Sequence, residues 1–157
     1  MGLGTVFEEQ VEVTAKPRSM TNNVYKDAYP GLLEKVVLSV DDNEMNQLVI
    51  AKIMTNAGMK TVTVPNGAEA IKKLKEGLKP DFILMDLEMP VMNGMEASEF
   101  IRRNISSQIP IIINSGSVSD VQKWRLRRLG IDEFLEKPYS MKDVFSKLSK
   151  YAAVCPA

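Results

Sequence analysis

DFILMDLEMPVMNG, residues 81–94, reads as a buried strand that ends on an acid, Asp86. A loop held by Pro90 and a turn at Asn93-Gly94 follow. An upstream apolar run, VVLSVDD at 36–42, also ends on acids, Asp41 and Asp42. Two such strands, side by side in a parallel sheet, bring their carboxylates into one pocket. An acidic pocket at the carboxyl edge of a parallel sheet suits a hard divalent cation.

Working outward, strand and helix signals alternate from Lys35 onward. Val36–Val40 is followed by a helical stretch from Glu44 to Ala57, with Met45, Leu48, Val49, Ile53 and Met54 as its apolar face. Asn46, Gln47, Lys52 and Asn56 fall off that face, and Gly58 closes the helix. Lys60–Val64 alternates as a strand. Asn66 with Glu69 resembles a capping box ahead of Ile71, Leu74 and Leu78. Phe82–Met85 is the third strand, Met95–Arg103 a helix, and Ile109–Asn114 a very apolar fourth strand. A helix over 118–129 stops at Gly130, and Phe134–Glu136 is a short fifth strand. In the last helix, from Ser140 to Tyr151, a Ser140–Asp143 box precedes Met141, Val144, Phe145 and Leu148 at helical spacing.

Five strand–helix units in succession predict an α/β fold, a flavodoxin-like (βα)5 doubly wound parallel sheet in the order 2-1-3-4-5. Near-continuous apolar strands agree, because both faces of such a sheet are covered. The domain is expected over residues 35–157, with 1–34 as an arm or linker. That arm holds one possible strand, Thr5 to Val13, and then a polar stretch punctuated by Pro17, Asn22, Asn23 and Pro30.

Composition narrows the function. Lys plus Arg equal Asp plus Glu, so bulk charge gives no reason to expect nucleic acid or an anionic membrane as partner. No apolar stretch reaches a membrane span, and no signal peptide pattern opens the chain. Val6 stands where a myristoylation pattern wants Ser or Thr. The single cysteine, Cys155, cannot pair within the chain, which fits a cytoplasmic location. With no histidine, the chain cannot itself carry phosphohistidine.

At the expected topology the strand ends supply Asp41, Asp42, Asp86, Ser115 and Lys137. A carboxylate flanked by a metal, an ammonium and a hydroxyl is equipped to accept a phosphoryl group. Singly, each residue has an ordinary reading: acids as turn and capping residues, Lys137 solvated, Ser115 a loop serine, Phe134 core. Coincidence at four strand ends favours the joint reading.

DD after the first strand, MDLEMPVMNG after the third, Ser115 after the fourth and Lys137-Pro138 after the fifth resemble the receiver domain of two-component response regulators. The resemblance covers Leu33 to Tyr151. It implies Asp86 as phosphoacceptor. It implies Mg²⁺ or Mn²⁺ held by Asp42, Asp86 and the backbone carbonyl of Glu88, with Asp41 acting through water. Lys137 and Ser115 would bind the phosphoryl oxygens. Phe134 and Ser115 would be the switch residues, and Gly116 would leave room for the donor. The Lys137–Pro138 peptide is expected cis. Implied partners are a histidine kinase or histidine phosphotransfer protein upstream and a protein partner downstream. With the receiver resemblance running to Tyr151, output is expected through a protein contact or elsewhere in a longer parent.

Gly2-Leu3-Gly4-Thr5-Val6-Phe7 is similar to the last glycine box of a histidine-kinase ATP-binding domain, which would make the chain the tail of a hybrid kinase. Three alternatives stay open. A pseudo-receiver would bind partners without phosphate. A haloacid-dehalogenase-type phosphatase would want D-x-D, where Asp86-Leu87-Glu88 stands. A flavodoxin would want a neutral phosphate loop, where Asp41-Asp42-Asn43-Glu44 stands. The basic residues Lys123, Arg125, Arg127 and Arg128 make a helix face open to docking or dimerisation.

Overall fold

The apolar runs pair as parallel strands, because each is joined to the next by a helix that must cross back over the sheet. The computed structural model describes residues 24–137 and 139–154. Strands β1 (Val36–Val40), β2 (Lys60–Val64), β3 (Phe82–Met85), β4 (Ile111–Ser115) and β5 (Glu133–Glu136) form one sheet in the order β2-β1-β3-β4-β5. The helices are α1 (Glu44–Asn56), α2 (Gly67–Lys75), α3 (Gly94–Asn104), α4 (Asp120–Arg128) and α5 (Met141–Val154). The fold is the flavodoxin-like doubly wound sheet that the alternation predicts.

The two-residue period of a strand sends alternate side chains into two cores. Leu38, Val40, Ile83, Met85, Ile111 and Ile113 meet Ala70, Leu74, Ala97, Ile101 and Leu126 on one face. Val37, Phe82, Leu84, Ile112 and Leu135 meet Ile50, Met54, Val144, Phe145 and Leu148 on the other. Extended past the strand ends, this parity puts Asp41, Asp86 and Lys137 in the row that faces α1 and α5. Ser115 and Phe134 fall in the row that faces α3 and α4.

The apolar face expected for α1 is corrected. Met45, Leu48 and Val49 are 69, 66 and 52% exposed, while Ile50 and Met54 are buried. The helix is apolar on nearly every side, so periodicity alone could not choose the buried stripe. Gln47, read as an outward residue, is the pin of this corner. Its amide donates to the carbonyls of Asp41 (2.7 Å) and Val64 (2.8 Å), and its Oε1 accepts from Ser39 Oγ at 2.8 Å. It thereby ties the ends of β1 and β2 to α1. Gln47→Ala should leave the Asp41 carbonyl and the Ser39 hydroxyl without the partner that Gln47 supplies and lower stability by about 2–3 kcal/mol. A shift of the urea midpoint at constant slope checks this, and an unchanged midpoint would refute it.

Residues 24–34 also differ from the arm that was expected. Residues 24–28 are helical, Leu32 in a 3₁₀ turn (Pro30–Leu32) is fully buried, and Tyr25 and Tyr29 meet the Phe145 ring at 5.4 and 5.5 Å. The polar residues between them mask this apolar trio in the sequence. The strand expected from Thr5 to Val13, the glycine box at 2–7 and the peptide to Pro138 lie outside the described residues. Smaller differences concern boundaries: β4 starts two residues later than expected, and Val118 precedes α4, which Ser119 caps. Asn93, read as a turn residue, is the N-cap of α3 in a reciprocal capping box with Glu96. The Ser140–Asp143 box ahead of α5 is likewise reciprocal.

Candidate functional site

Three carboxylates converge where the order of strand connections reverses, between β1 and β3. One carboxylate oxygen from each of Asp41, Asp42 and Asp86 lies within 4.8 Å of the other two. Asp41 and Asp86 are buried, at 3 and 8% exposure, and Asp42 is exposed. The backbone fixes this spacing. The Asp86 N–H donates to the carbonyl of Val40, and the Asp41 N–H donates to that of Val64, each continuing the sheet ladder by one step.

Asp41 is held at both oxygens. Oδ1 accepts from the Asn43 N–H at 2.8 Å and Oδ2 from Asn46 Nδ2 at 3.2 Å. Lys137 Nζ stands 3.6 Å from Asp41 Oδ2, the contact that the shared row allows. Burial and the Asp41 charge push the Asp86 carboxyl above its ordinary range, against the pull of Lys137 and the N–H groups of Glu88 and Leu87. A donor set of three hard carboxylates so placed fits a small divalent cation, which would relieve their repulsion.

Ser115 is buried at the end of β4, and its carbonyl accepts from the Lys137 N–H at 3.2 Å. Its hydroxyl donates to the Ser117 carbonyl, within its own loop. Gly116 beside it leaves open space: a Cβ there would meet no atom within 4 Å. Phe134 is half-buried beneath α4, with Lys123 Nζ and Arg127 Cζ at 5.6 and 5.8 Å from its ring centre. Glu88 is exposed in the loop after Asp86. So the structure gathers Asp41, Asp42, Asp86 and Lys137 and sets Ser115 and Phe134 on the other side of the sheet's edge.

Two residues at the site have no counterpart in the sequence reading. Tyr139 is half-buried, and its hydroxyl is pushed up by burial and by the charges of Asp41 and Asp86, against a hydrogen bond from Asn114. Asn114 is buried in the row of Asp86, and its Oδ1 has no partner among the described residues. Strand parity was the signal for Asn114, since it sits two residues after the core residue Ile112.

A family profile described as "Response regulator receiver domain" matches residues 37–149. The chain belongs to the response-regulator receiver family. This receiver is 33% identical over 134 residues to the Arabidopsis thaliana protein "Two-component response regulator 24", covering 83% of this chain and 95% of that one. It is 36% identical over 107 residues to "Sensor histidine kinase CheAY" of Helicobacter pylori, covering 67% of this chain but only 13% of the kinase. Among solved structures, the receiver domain of a sensor histidine kinase from Pseudomonas aeruginosa, described with a magnesium ion in its active site cleft, matches with a TM-score of 0.69. That match has 26% identity over 76% of this chain and 98% of the other. Among the described residues of this receiver, no helix is long and apolar enough to cross a membrane.

Proposed function

We propose that this receiver accepts a phosphoryl group on Asp86 from a phosphohistidine of a histidine kinase or histidine phosphotransfer protein. The observation that carries this is the meeting of three carboxylates and one lysine at the β1–β3 switch point. An Asp86 oxygen attacks phosphorus in line, the P–N bond breaks, and the imidazole leaves with its electron pair. The product is an aspartyl phosphate.

Asp42, Asp86 and the Glu88 carbonyl would hold Mg²⁺ or Mn²⁺, with Asp41 acting through water. When bound, the ion neutralises charge on the transferring oxygens. Lys137 exchanges part of its pairing with Asp41 for a phosphoryl oxygen. The Ser115 hydroxyl gives up the Ser117 carbonyl for another, and Phe134 repacks in the space this frees. The switch acts by packing, because Phe134 carries no hydroxyl. A downstream protein partner then reads the changed surface.

The exposed Met45, Leu48 and Val49 of α1, next to Asp41 and Asp42 in the chain, offer the donor protein an apolar landing surface. We take the receiver unit as residues 35–157 clasped by residues 24–34, since Tyr25 and Leu32 complete its core. Stand-alone and kinase-linked relatives both occur, and the reading holds in either setting. A cytoplasmic location follows from the same reading.

Incubation with Mg²⁺ and acetyl phosphate followed by intact mass tests it. One added phosphoryl group is expected, lost in Asp86→Asn and after chelation. Persistence of the adduct in Asp86→Asn would overturn the assignment. Absence of both a phosphoryl and a beryllofluoride adduct on a folded chain would instead favour a phosphate-independent binding module.

A further inference from the structure

Helices α3 and α4 run on the same face of the sheet and leave a cleft of about 380 Å³ between them. Met95, Glu99 and Arg103 line it from α3 at four-residue spacing, and Trp124, Arg125 and Arg128 line it from α4. It lies on a different flank of α4 from the one that covers Phe134, so it is separate from the switch residue.

The cleft combines three things. Its floor is apolar, with Met95 buried. Its wall carries Trp124, which is 59% exposed although it is the chain's only tryptophan and among its largest apolar side chains. Its rim carries three guanidinium groups against one carboxylate, in a chain of zero formal charge. Arg103 and Arg125 share Glu99, each at 3.6 Å from one of its oxygens, longer than a direct hydrogen bond. Arg128 lies over the Trp124 ring at 4.9 Å, with no carboxylate in ion-pair range among the described residues. Elsewhere on the surface, Lys72, Lys73 and Lys75 stand in the last turn of α2.

We infer that the α3–α4 cleft docks an acidic segment of a protein partner. An apolar side chain of that segment packs on Trp124 and Met95, and its carboxylates enter the forks of Arg128 and Arg125. Glu99 already shows the chemistry that the rim accepts: a singly charged, planar carboxylate, which guanidinium forks match in shape. A doubly charged phosphate would lie against Glu99 and be repelled by it. Arg and Trp together are the residue types on which interface energy concentrates. Docking here does not require Asp86 to accept phosphate, so this inference and the proposed function fail separately.

Because Trp124 is the only tryptophan, its emission reports this cleft alone. The probe is a short synthetic peptide of aspartate and glutamate around one phenylalanine, titrated into the full chain. A saturable change in emission is expected. Arg128→Glu, which breaks no ion pair among the described residues, should weaken it about tenfold, a loss of one charge-assisted contact. Lys72→Glu, the same charge change on α2, should leave it intact. In Trp124→Ala, anisotropy of a labelled peptide should show a comparable loss. No saturable change would overturn the inference. So would equal weakening by Lys72→Glu.

Discussion

Gly94→Ala is expected to lower folding stability by about 2–4 kcal/mol, a large part of what a domain of this size has. A Cβ on Gly94 would overlap the carbonyl oxygen of Asp86 and stand 2.9 Å from its carbonyl carbon and from Leu87 Cα. All three are backbone atoms, so no side-chain rotation makes room. Nor can the backbone withdraw easily, because the Asp86 N–H is bonded to Val40 and the Gly94 N–H to Leu87 at 2.9 Å. The strand end and the start of α3 are thus locked face to face, and glycine is needed for its missing side chain rather than for an unusual dihedral. The same overlap bears on the carboxylate that Asp86 presents, so phosphoryl acceptance should fall together with stability. Gly116→Ala is the control: it lies in the neighbouring loop in open space and should change stability by less than about 0.5 kcal/mol. Urea unfolding of the two variants checks this. Equal stabilities would mean that the β3–α3 loop yields where its hydrogen bonds say it cannot.

That lock explains why DFILMDLEMPVMNG was so readable. Asp86 had to end a buried strand, and Gly94 had to begin a helix against it, so the chemistry and the packing of the site are written in one segment. The strand order followed from the succession of strand–helix units, and the grouping of Asp41, Asp42, Asp86 and Lys137 from apolar runs that end in charged residues. What could not be read was whatever depends on a choice among equally apolar faces. Helix α1 offers Met45, Leu48, Val49, Ile50 and Met54 almost all round, and the sheet selected Ile50 and Met54. Gln47 looked like a solvent residue because its bonds to Asp41, Val64 and Ser39 exist only once β1 and β2 lie side by side. Leu32 and the two tyrosines that meet Phe145 are more than a hundred residues away from it in sequence, with polar neighbours that hide them.

The division of the site into two rows is, in contrast, written in strand parity. Asp41, Asp86 and Lys137 share one row; Ser115 and Phe134 share the other. Lys123 and Arg127 lie over Phe134, and Lys123 also pairs with Glu136 at 3.8 Å. Buried Leu126 is the one α4 side chain fully inside the core. A helix anchored by so little buried surface is the element that the repacking of Phe134 proposed above would displace first.

Asp86→Asn should melt at a higher temperature than the unaltered chain in metal-free buffer near neutral pH. The reason is the crowding of charge. Asp86 is buried beside Asp41, and both effects favour its neutral form in the folded state, with Lys137 only partly compensating. For an acid raised in the folded state, the linked stability is complete below the unfolded-state value and is lost as pH rises through the folded one. At neutral pH the ionised carboxylate therefore weighs against folding. Asparagine has the same shape and keeps an oxygen to accept the Glu88 and Leu87 N–H groups, but removes the charge. The gain should be about 1–2 kcal/mol, or roughly 3–6 °C. It should shrink as pH falls and Asp86 in the unaltered chain takes up its proton. Mg²⁺ should then raise the melting temperature of the unaltered chain more than that of Asp86→Asn, since the variant has lost one of three anionic donors. If Asp86→Asn melts lower than the unaltered chain without metal, Lys137 outweighs the carboxylate repulsion, and the acidic cluster is a stabilising ion network rather than a site kept under strain for a cation and a phosphoryl group.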